Sequence, residues 1–278
     1  PMAFSAASLV RLEDVRAEGP TAWCQGYIPG DPARIEPMID RVAAAGYDTF
    51  VVTADVVVPA NREYNVRNDF RLPIRVTPRV VADCATRPGW VIGTLLRTLA
   101  RHGMPRFENM DAVRGPPIVS RTLERNIDRR DALCWADVAA IRRRWQGKLA
   151  IKGILSPDDA RIAREHGVDG IILSNHGGRQ LDGAIAPMRV LPEIAADAGD
   201  MAVMLDGGVR RGTDVLKALA LGARLVFVGR PMMFAAAVAG EEGVARAIAL
   251  LKAEIDRDLA LLGLRDVNAI GPDYVRRI

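Results

Sequence analysis

The 278-residue sequence predicts an α/β fold of the TIM type, a (β/α)8 barrel of parallel strands. Two observations carry this. From residue 149 onward, short apolar runs alternate regularly with polar loops and helical stretches. The length also suits one such barrel with a full core. Strand–helix alternation with short connections means a parallel sheet.

Taking the elements in order, Ala3–Ser5 reads as the end of a strand. Residues 23–27 and 49–53 read as the next two strands, with a helix over 32–45 between them. Four more strands are expected at 149–154, 170–174, 202–205 and 225–228. All are short and rich in Val, Ile and Leu, as strands buried on both faces should be. Helices are expected at 157–166, 188–196 and 213–221; Ser156-Pro157-Asp158 and Gly212-Thr213-Asp214 carry helix-start chemistry. A long helix over 243–262 closes the chain and is read as an outer helix without chemistry of its own. The count is seven strands, not eight.

One connection is abnormal. Some eighty residues rich in Arg and Pro separate Asp55 from the helix near Trp135, and loops of about that length are usually functional or mobile. Residues 56–135 hold 14 Arg and no Lys against 8 acidic residues, a net of +6 in a chain whose total is +4. Such a stretch suits an anionic partner: a membrane surface, a subunit or, last, a nucleic acid, since aromatics do not interleave with the Arg. Within it, residues 90–102 read as an amphipathic helix, with Val91, Leu95, Leu96 and Leu99 on one face and Arg97 and Arg101 a turn apart. That make-up suits a membrane surface, and equally a helix packed on the barrel or between subunits. Cys24, Cys84 and Cys134 have no metal-ligand spacing, so no metal site is expected. Their wide spacing and the lack of a signal peptide or spanning segment point to the cytoplasm or its membrane face.

The unusual polar clusters fall just after expected strands, the edge where parallel barrels build active sites. After Leu173 comes Ser174-Asn175-His176-Gly177-Gly178-Arg179-Gln180-Leu181-Asp182. His176, one of three histidines, suits a general base. Arg179 suits a bidentate grip on a carboxylate. His166 and His102 sit at expected helix ends and read as structural. Asp206-Gly207-Gly208-Val209-Arg210 and Gly229-Arg230-Pro231 follow the next two strands. Glycines ahead of helix starts with Arg beside them suit a phosphate. Lys152 lies in an apolar strand and needs a partner, either an electron-rich reducible ring or a barrel carboxylate. Gln25 with Tyr27, and Thr53 with Asp55, each share one strand face. Arg62 follows in the same loop as Asp55, where Asp55 could orient and charge-stabilise His176.

Together these residues resemble the FMN-dependent 2-hydroxy acid dehydrogenase/oxidase family, from Ser5 to the C-terminus. The run SNHGGRQLD (174–182) is the most specific match. Asp55-Val56-Val57-Val58, Arg101-His102-Gly103-Met104-Pro105 and Pro272-Asp273-Tyr274 resemble its membrane-associated (S)-mandelate dehydrogenase branch. The resemblance implies a single FMN-binding barrel domain over 1–278, with 56–135 as an insertion after the fourth family strand. It implies that Ser5, Gln25, Thr53, Lys152 and Ser174 contact the flavin ring or ribityl chain, Lys152 near N1. Asp206, Gly207, Gly208, Arg210, Gly229 and Arg230 would hold the ribityl and phosphate. Arg62 and Arg179 would bind the substrate carboxylate, and Tyr27 would donate to the substrate. His176, steered by Asp55, would take its proton. The substrate would be a small mandelate-like or lactate-like (S)-2-hydroxy acid, with a quinone or oxygen as electron acceptor. A homo-oligomer, peripheral on the inner face of a membrane through residues 90–106, would follow.

Family chains carry an upstream segment with the first barrel strand, whereas this sequence starts almost at the second. The expectation is therefore a barrel lacking its first strand: a fragment, a short chain completed by a partner, or a truncated relative with weak or no catalysis. Another FMN- or phosphate-binding barrel, such as an isomerase or an IMP dehydrogenase-like protein, is the other alternative. Those share the Asp-Gly-Gly-Val-Arg segment but lack a His-Gly-Gly-Arg loop.

Overall fold

The computed structural model describes residues 2–70, 73–120 and 130–276. The chain divides into two compact units, Pro1–Lys148 and Leu149–Ile278.

In the first unit, β1 (Ala3–Ser5), α1 (Leu12–Glu18), β2 (Trp23–Gly26), α2 (Pro32–Ala44) and β3 (Thr49–Thr53) follow one another. The strands pair in parallel, Ser5 opposite Gln25 and Gln25 opposite Val51. β3 is buried along its whole length. Its Phe50 is fully buried and meets Trp145 in a tilted ring contact at 5.7 Å. Truncating a phenylalanine so placed costs about 3–5 kcal/mol. Gly26 makes that packing possible, because a Cβ there would lie 2.6 Å from the Phe50 ring. Asp31 caps α2 through the Ala33 N–H, with Pro32 in its first turn.

The long connection is not without structure. It carries α3 (Glu63–Arg67), α4 (Pro78–Ala85), α5 (Pro88–Trp90), a π-helical turn (Val91–Leu96) and α6 (Arg97–His102). The expected helix over 90–102 therefore exists, but its middle is π-wound. Of the four apolar residues expected on one face, Val91, Leu95 and Leu99 share the less exposed side and Leu96 departs from it. Trp90, Ile92 and Leu96 stand exposed, while Val91, Leu95 and Leu99 are half-buried. The return segment is clamped to α1 and α2. Asn109 accepts the Leu12 N–H and donates to the Ser8 and Val10 carbonyls. Arg41 holds Glu13 with two hydrogen bonds and donates to the Glu108 and Asp111 carbonyls. Arg41 also holds the Glu13 carboxyl below its ordinary range. After α7 (Trp135–Arg144) the second unit opens.

There, β4 (Lys148–Ile154), α8 (Pro157–Glu165), β5 (Gly170–Leu173), α9 (Pro187–Asp197), β6 (Ala202–Asp206), α10 (Gly212–Ala220), β7 (Leu225–Phe227) and α11 (Arg230–Leu261) alternate. β4–β5, β5–β6 and β6–β7 pair in parallel, Ile171 opposite Val203 and Asp206 opposite Phe227. The predicted closing helix is the second half of α11, which breaks at Ala239 and Gly240, where Gly240 takes φ 57°. The fold class is α/β of the TIM-barrel type, with seven strands among the described residues. His166 ends α8, its ring nitrogen 2.9 Å from the Ile162 carbonyl, and His102 ends α6, the helix-end positions expected of them.

Candidate active site

In the first unit the predicted residues gather at the C-terminal ends of β1–β3. Gln25 and Thr53 are buried polar residues on neighbouring strands, and the Gln25 amide donates to Thr53 Oγ1 at 2.6 Å. Ser5 stands in register with Gln25 and accepts the Ala7 N–H at its own hydroxyl. Tyr27 follows β2 directly and Asp55 follows β3 by two residues; both are half-buried. Arg62 opens α3. Tyr27, Asp55 and Arg62 all have interaction partners.

In the second unit the cluster is tighter. Lys152 reaches from the centre of β4 to Ser174 Oγ at 2.9 Å, to Asp206 Oδ2 at 3.4 Å and to His176 Nδ1 at 3.4 Å. The barrel carboxylate expected as one partner for Lys152 is thus Asp206. Ser174, the residue after β5, is fully buried. It donates to Asp206 Oδ2 at 2.8 Å and accepts the His176 N–H at 3.0 Å. His176 adopts φ 56°, one of two non-glycine residues with positive φ among the described residues. Such a conformation costs about 1–3 kcal/mol, persists only where the surroundings impose it, and concentrates at active sites. Gly177 and Gly178 continue in the same left-handed region. Arg179 follows, half-buried.

Two corners flank this loop. At the start of α10, Asp214 accepts the N–H groups of Arg210 and Arg211 at 2.9 and 3.0 Å. Glu254 accepts the Gly212 N–H at 2.9 Å and pairs with Arg211 at 3.1 Å. The N–H groups of Arg210 and Arg211 ahead of α10 and of Gly212 at its first position are therefore met by the protein's own carboxylates. The start of α11 is different: Gly229 caps it with no side-chain hydrogen bond. Arg230 donates from there to the Gly177 carbonyl, joining this corner to the histidine loop.

Sequence reasoning missed Glu254, which holds the start of α10, since its helix was read as having no chemistry. It lies 42 positions from Gly212, and no local pattern announces such a contact. Asp214 did carry a signal, as an acid in the first turn of a helix.

The donor set of the second unit, taken by itself, fits the anionic parts of a flavin mononucleotide. Lys152 and Arg230 supply cations, and α11 presents an uncapped N-terminus to an anion. A Cβ at Gly208 or Gly229 would meet nothing within 4 Å, leaving room for close approach to backbone. The first unit, described by itself, carries amide and hydroxyl groups on Gln25, Thr53 and Ser5 that suit a polar ligand edge. The expected pairing of Asp55 with His176 joins residues of the two units and is carried below as part of the proposal.

Comparison with known proteins agrees. The model of the FMN-dependent dehydrogenase family matches residues 1–277. The chain is 38% identical over 280 residues to (S)-mandelate dehydrogenase of Pseudomonas putida, covering 99% of this chain and 69% of that protein. It is 38% identical over 282 residues to a putative L-lactate dehydrogenase of Mycobacterium tuberculosis (strain ATCC 25618 / H37Rv), covering 100% of this chain and 66% of that one. The crystal structure of the monotopic membrane protein (S)-mandelate dehydrogenase superposes with a TM-score of 0.87 at 38% identity, over 99% of this chain and 72% of that one. The chain thus spans about two thirds to seven tenths of these relatives' lengths. With its histidine loop, its half-buried lysine and its two glycine–arginine corners, this chain belongs to the FMN-dependent dehydrogenase family.

Proposed function

We propose that this chain oxidises a small (S)-2-hydroxy acid, mandelate-like or lactate-like, to the 2-keto acid, as a single FMN-binding domain over 1–278 with residues 56–135 as an insertion. The observation that carries the reading is the second-unit cluster. It holds His176 on a left-handed backbone whose N–H donates to Ser174, the hydroxyl that also joins Lys152 and Asp206.

When bound, FMN supplies the acceptor for the electron pair that leaves the substrate's α-carbon. His176 takes the proton released as the alcohol becomes a ketone, and Asp55 steadies the resulting imidazolium. Arg179 and Arg62 would grip the substrate carboxylate and so orient the α-carbon. Tyr27 donates a hydrogen bond to the substrate. Lys152 would lie beside the ring, where its positive charge would favour negative charge on the bound group. Ser5, Gln25 and Thr53 line the ring and ribityl. Asp206, Gly207, Gly208, Arg210, Gly229 and Arg230 hold the ribityl and phosphate, with Arg230 at the uncapped start of α11. A quinone or oxygen receives the electrons, and the working form is a homo-oligomer.

The second element of the proposal is peripheral contact with the cytoplasmic face of a membrane through residues 90–106. The exposure of Trp90, Ile92, Leu96 and Met104 beside Arg97 and Arg101 supports it. So does the likeness to a monotopic membrane protein. No described helix is long and apolar enough to cross a membrane.

The test is flavin content after purification and reconstitution, followed by anaerobic titration with (S)-mandelate, (S)-lactate and glycolate. Bound flavin bleached by at least one of them is expected. Flavin that none of them bleaches refutes the oxidation, and a chain that takes up no flavin refutes the reading as a whole.

A further inference from the structure

Gly212 opens α10 and packs directly against the second half of α11. A Cβ there would come 2.7 Å from the Ile255 nitrogen and 2.8 Å from Glu254, so no side chain fits between the two helices. At this contact the Glu254 carboxylate turns back onto the start of α10. Its Oε2 accepts the Gly212 N–H at 2.9 Å, and its Oε1 pairs with Arg211 at 3.1 Å. We propose that Glu254 is a positioning residue for the phosphate corner: its hydrogen bond to Gly212 fixes the loop from Asp206 to Arg211, and with it Arg210, against α11. The proposal rests on the reading of that loop as a holder of the FMN ribityl and phosphate, but the contacts it invokes lie wholly within the second unit.

The loop leaves β6 through Gly207 at φ 107° and Gly208 at φ 79°. Glycine restrains a chain little, so the loop takes its shape from its anchors. Asp206 ends β6 in register with Phe227, and the side chain of Val209 is buried. At the far end Asp214 accepts the Arg210 and Arg211 N–H groups, but it belongs to α10 and moves with it. Glu254 ties that end to a different helix. The same helix, α11, begins with Arg230, the cation of the neighbouring corner. One helix thus supplies an arginine to one corner and holds the backbone of the other. The charge of Glu254 acts in the opposite sense, since removing a carboxylate near an anion site strengthens anion binding. The two effects therefore separate by experiment.

The test compares Glu254→Ala with Glu254→Gln, which keeps an oxygen to accept the Gly212 N–H but carries no charge. Labelling with 13C-carbonyl arginine and 15N-glycine selects the glycine amides that follow an arginine, and the chain has two, Gly115 and Gly212. In the apoprotein, Glu254→Ala should speed exchange of the Gly212 amide at least about tenfold. The Gly115 amide, which donates to the Phe107 carbonyl in the first unit, should be unchanged, and Glu254→Gln should keep Gly212 slow. Quenching of flavin fluorescence then compares FMN with riboflavin, which lacks the phosphate. Glu254→Ala should bind FMN about tenfold more weakly but riboflavin within about threefold of the unchanged chain, with Glu254→Gln restoring FMN affinity. Should Glu254→Ala not fold, Glu254→Met, which keeps the length of the side chain without its acceptor, takes its place.

An unchanged Gly212 amide in Glu254→Ala overturns the proposal. An equal loss for FMN and riboflavin also overturns it, because Glu254 then supports the fold at large and not the phosphate corner. So does tighter FMN binding by both variants, which makes the charge of Glu254 and not its hydrogen bond the governing feature. Should riboflavin bind none of the chains, FMN affinity lost with alanine and restored with glutamine supports the proposal, and any other pattern overturns it. A chain that binds no FMN refutes the functional reading instead, and the amide measurement then still decides whether Glu254 holds the start of α10.

Discussion

Replacing Gly177 by alanine separates backbone strain from the role of Arg230. Gly177 has φ 65°, and its neighbour Gly178 has φ 69°. Either alanine variant therefore meets the same left-handed penalty of about 1–2 kcal/mol. Beyond that the two differ. A Cβ at Gly178 meets nothing within 4 Å, whereas one at Gly177 would lie 2.7 Å from Arg230 Nη2. The guanidinium is the end of a flexible side chain, so it swings away. The added cost is then the bond it gives up to the Gly177 carbonyl. Hydrogen bonds from charged groups contribute about 1.5–3 kcal/mol, and at this exposed position the lower end applies. About 1.5 kcal/mol is a factor of about ten in a dissociation constant. Titrating apoprotein with FMN and following the quenching of flavin fluorescence reads it directly. Gly177→Ala should bind about tenfold more weakly than Gly178→Ala, with both somewhat destabilised to heat. Equal affinities for the two variants would show that Arg230 does not take its place from Gly177, and the phosphate corner proposed here would be wrong.

His176→Gln should retain flavin and lose about 10²–10⁴-fold in turnover, measured by stopped-flow flavin reduction. Near-normal reduction would remove it as the base. Arg179→Met should raise KM and lower kcat together in steady-state assays, because the substrate carboxylate loses its bidentate partner. An unchanged KM contradicts that role. Replacing Ile92 and Leu96 by glutamate should abolish co-sedimentation with anionic phospholipid vesicles while leaving flavin content intact; an intact chain that never sediments with them rules out the surface contact. For pH, the Arg41 hydrogen bonds depress Glu13 below its ordinary value of 4.5. The stability this confers is complete above that value and is lost as pH falls through the lower folded value. Glu13→Gln should therefore flatten the acid limb of the thermal stability curve, at a cost of about 1 kcal/mol or less at neutral pH for this partly exposed pair. An unchanged acid limb would show that another carboxylate governs it.

The strands and most helices were legible because their signals are local. Apolar runs such as 170–174 and the proline and hydroxyl at the start of α8 act within a few residues of chain. The histidine loop was legible for the same reason, as nine consecutive residues carry its chemistry. Two local readings shifted in the structure. Within the π-wound Val91–Leu96 turn Leu96 departs from the face shared by Val91, Leu95 and Leu99, and α11 begins at Arg230 and breaks at Ala239–Gly240 where only its second half had been expected.

What the sequence determined by itself is the order of the elements and the identity of the reactive groups, since both are set by neighbours along the chain. The tertiary structure decided which groups share a partner. It brought Glu254 to the start of α10 and set Lys152, Asp206 and the His176 backbone around one hydroxyl. Those contacts join residues up to 54 positions apart. They follow from strand register and helix packing, in which each group's position depends on the whole fold.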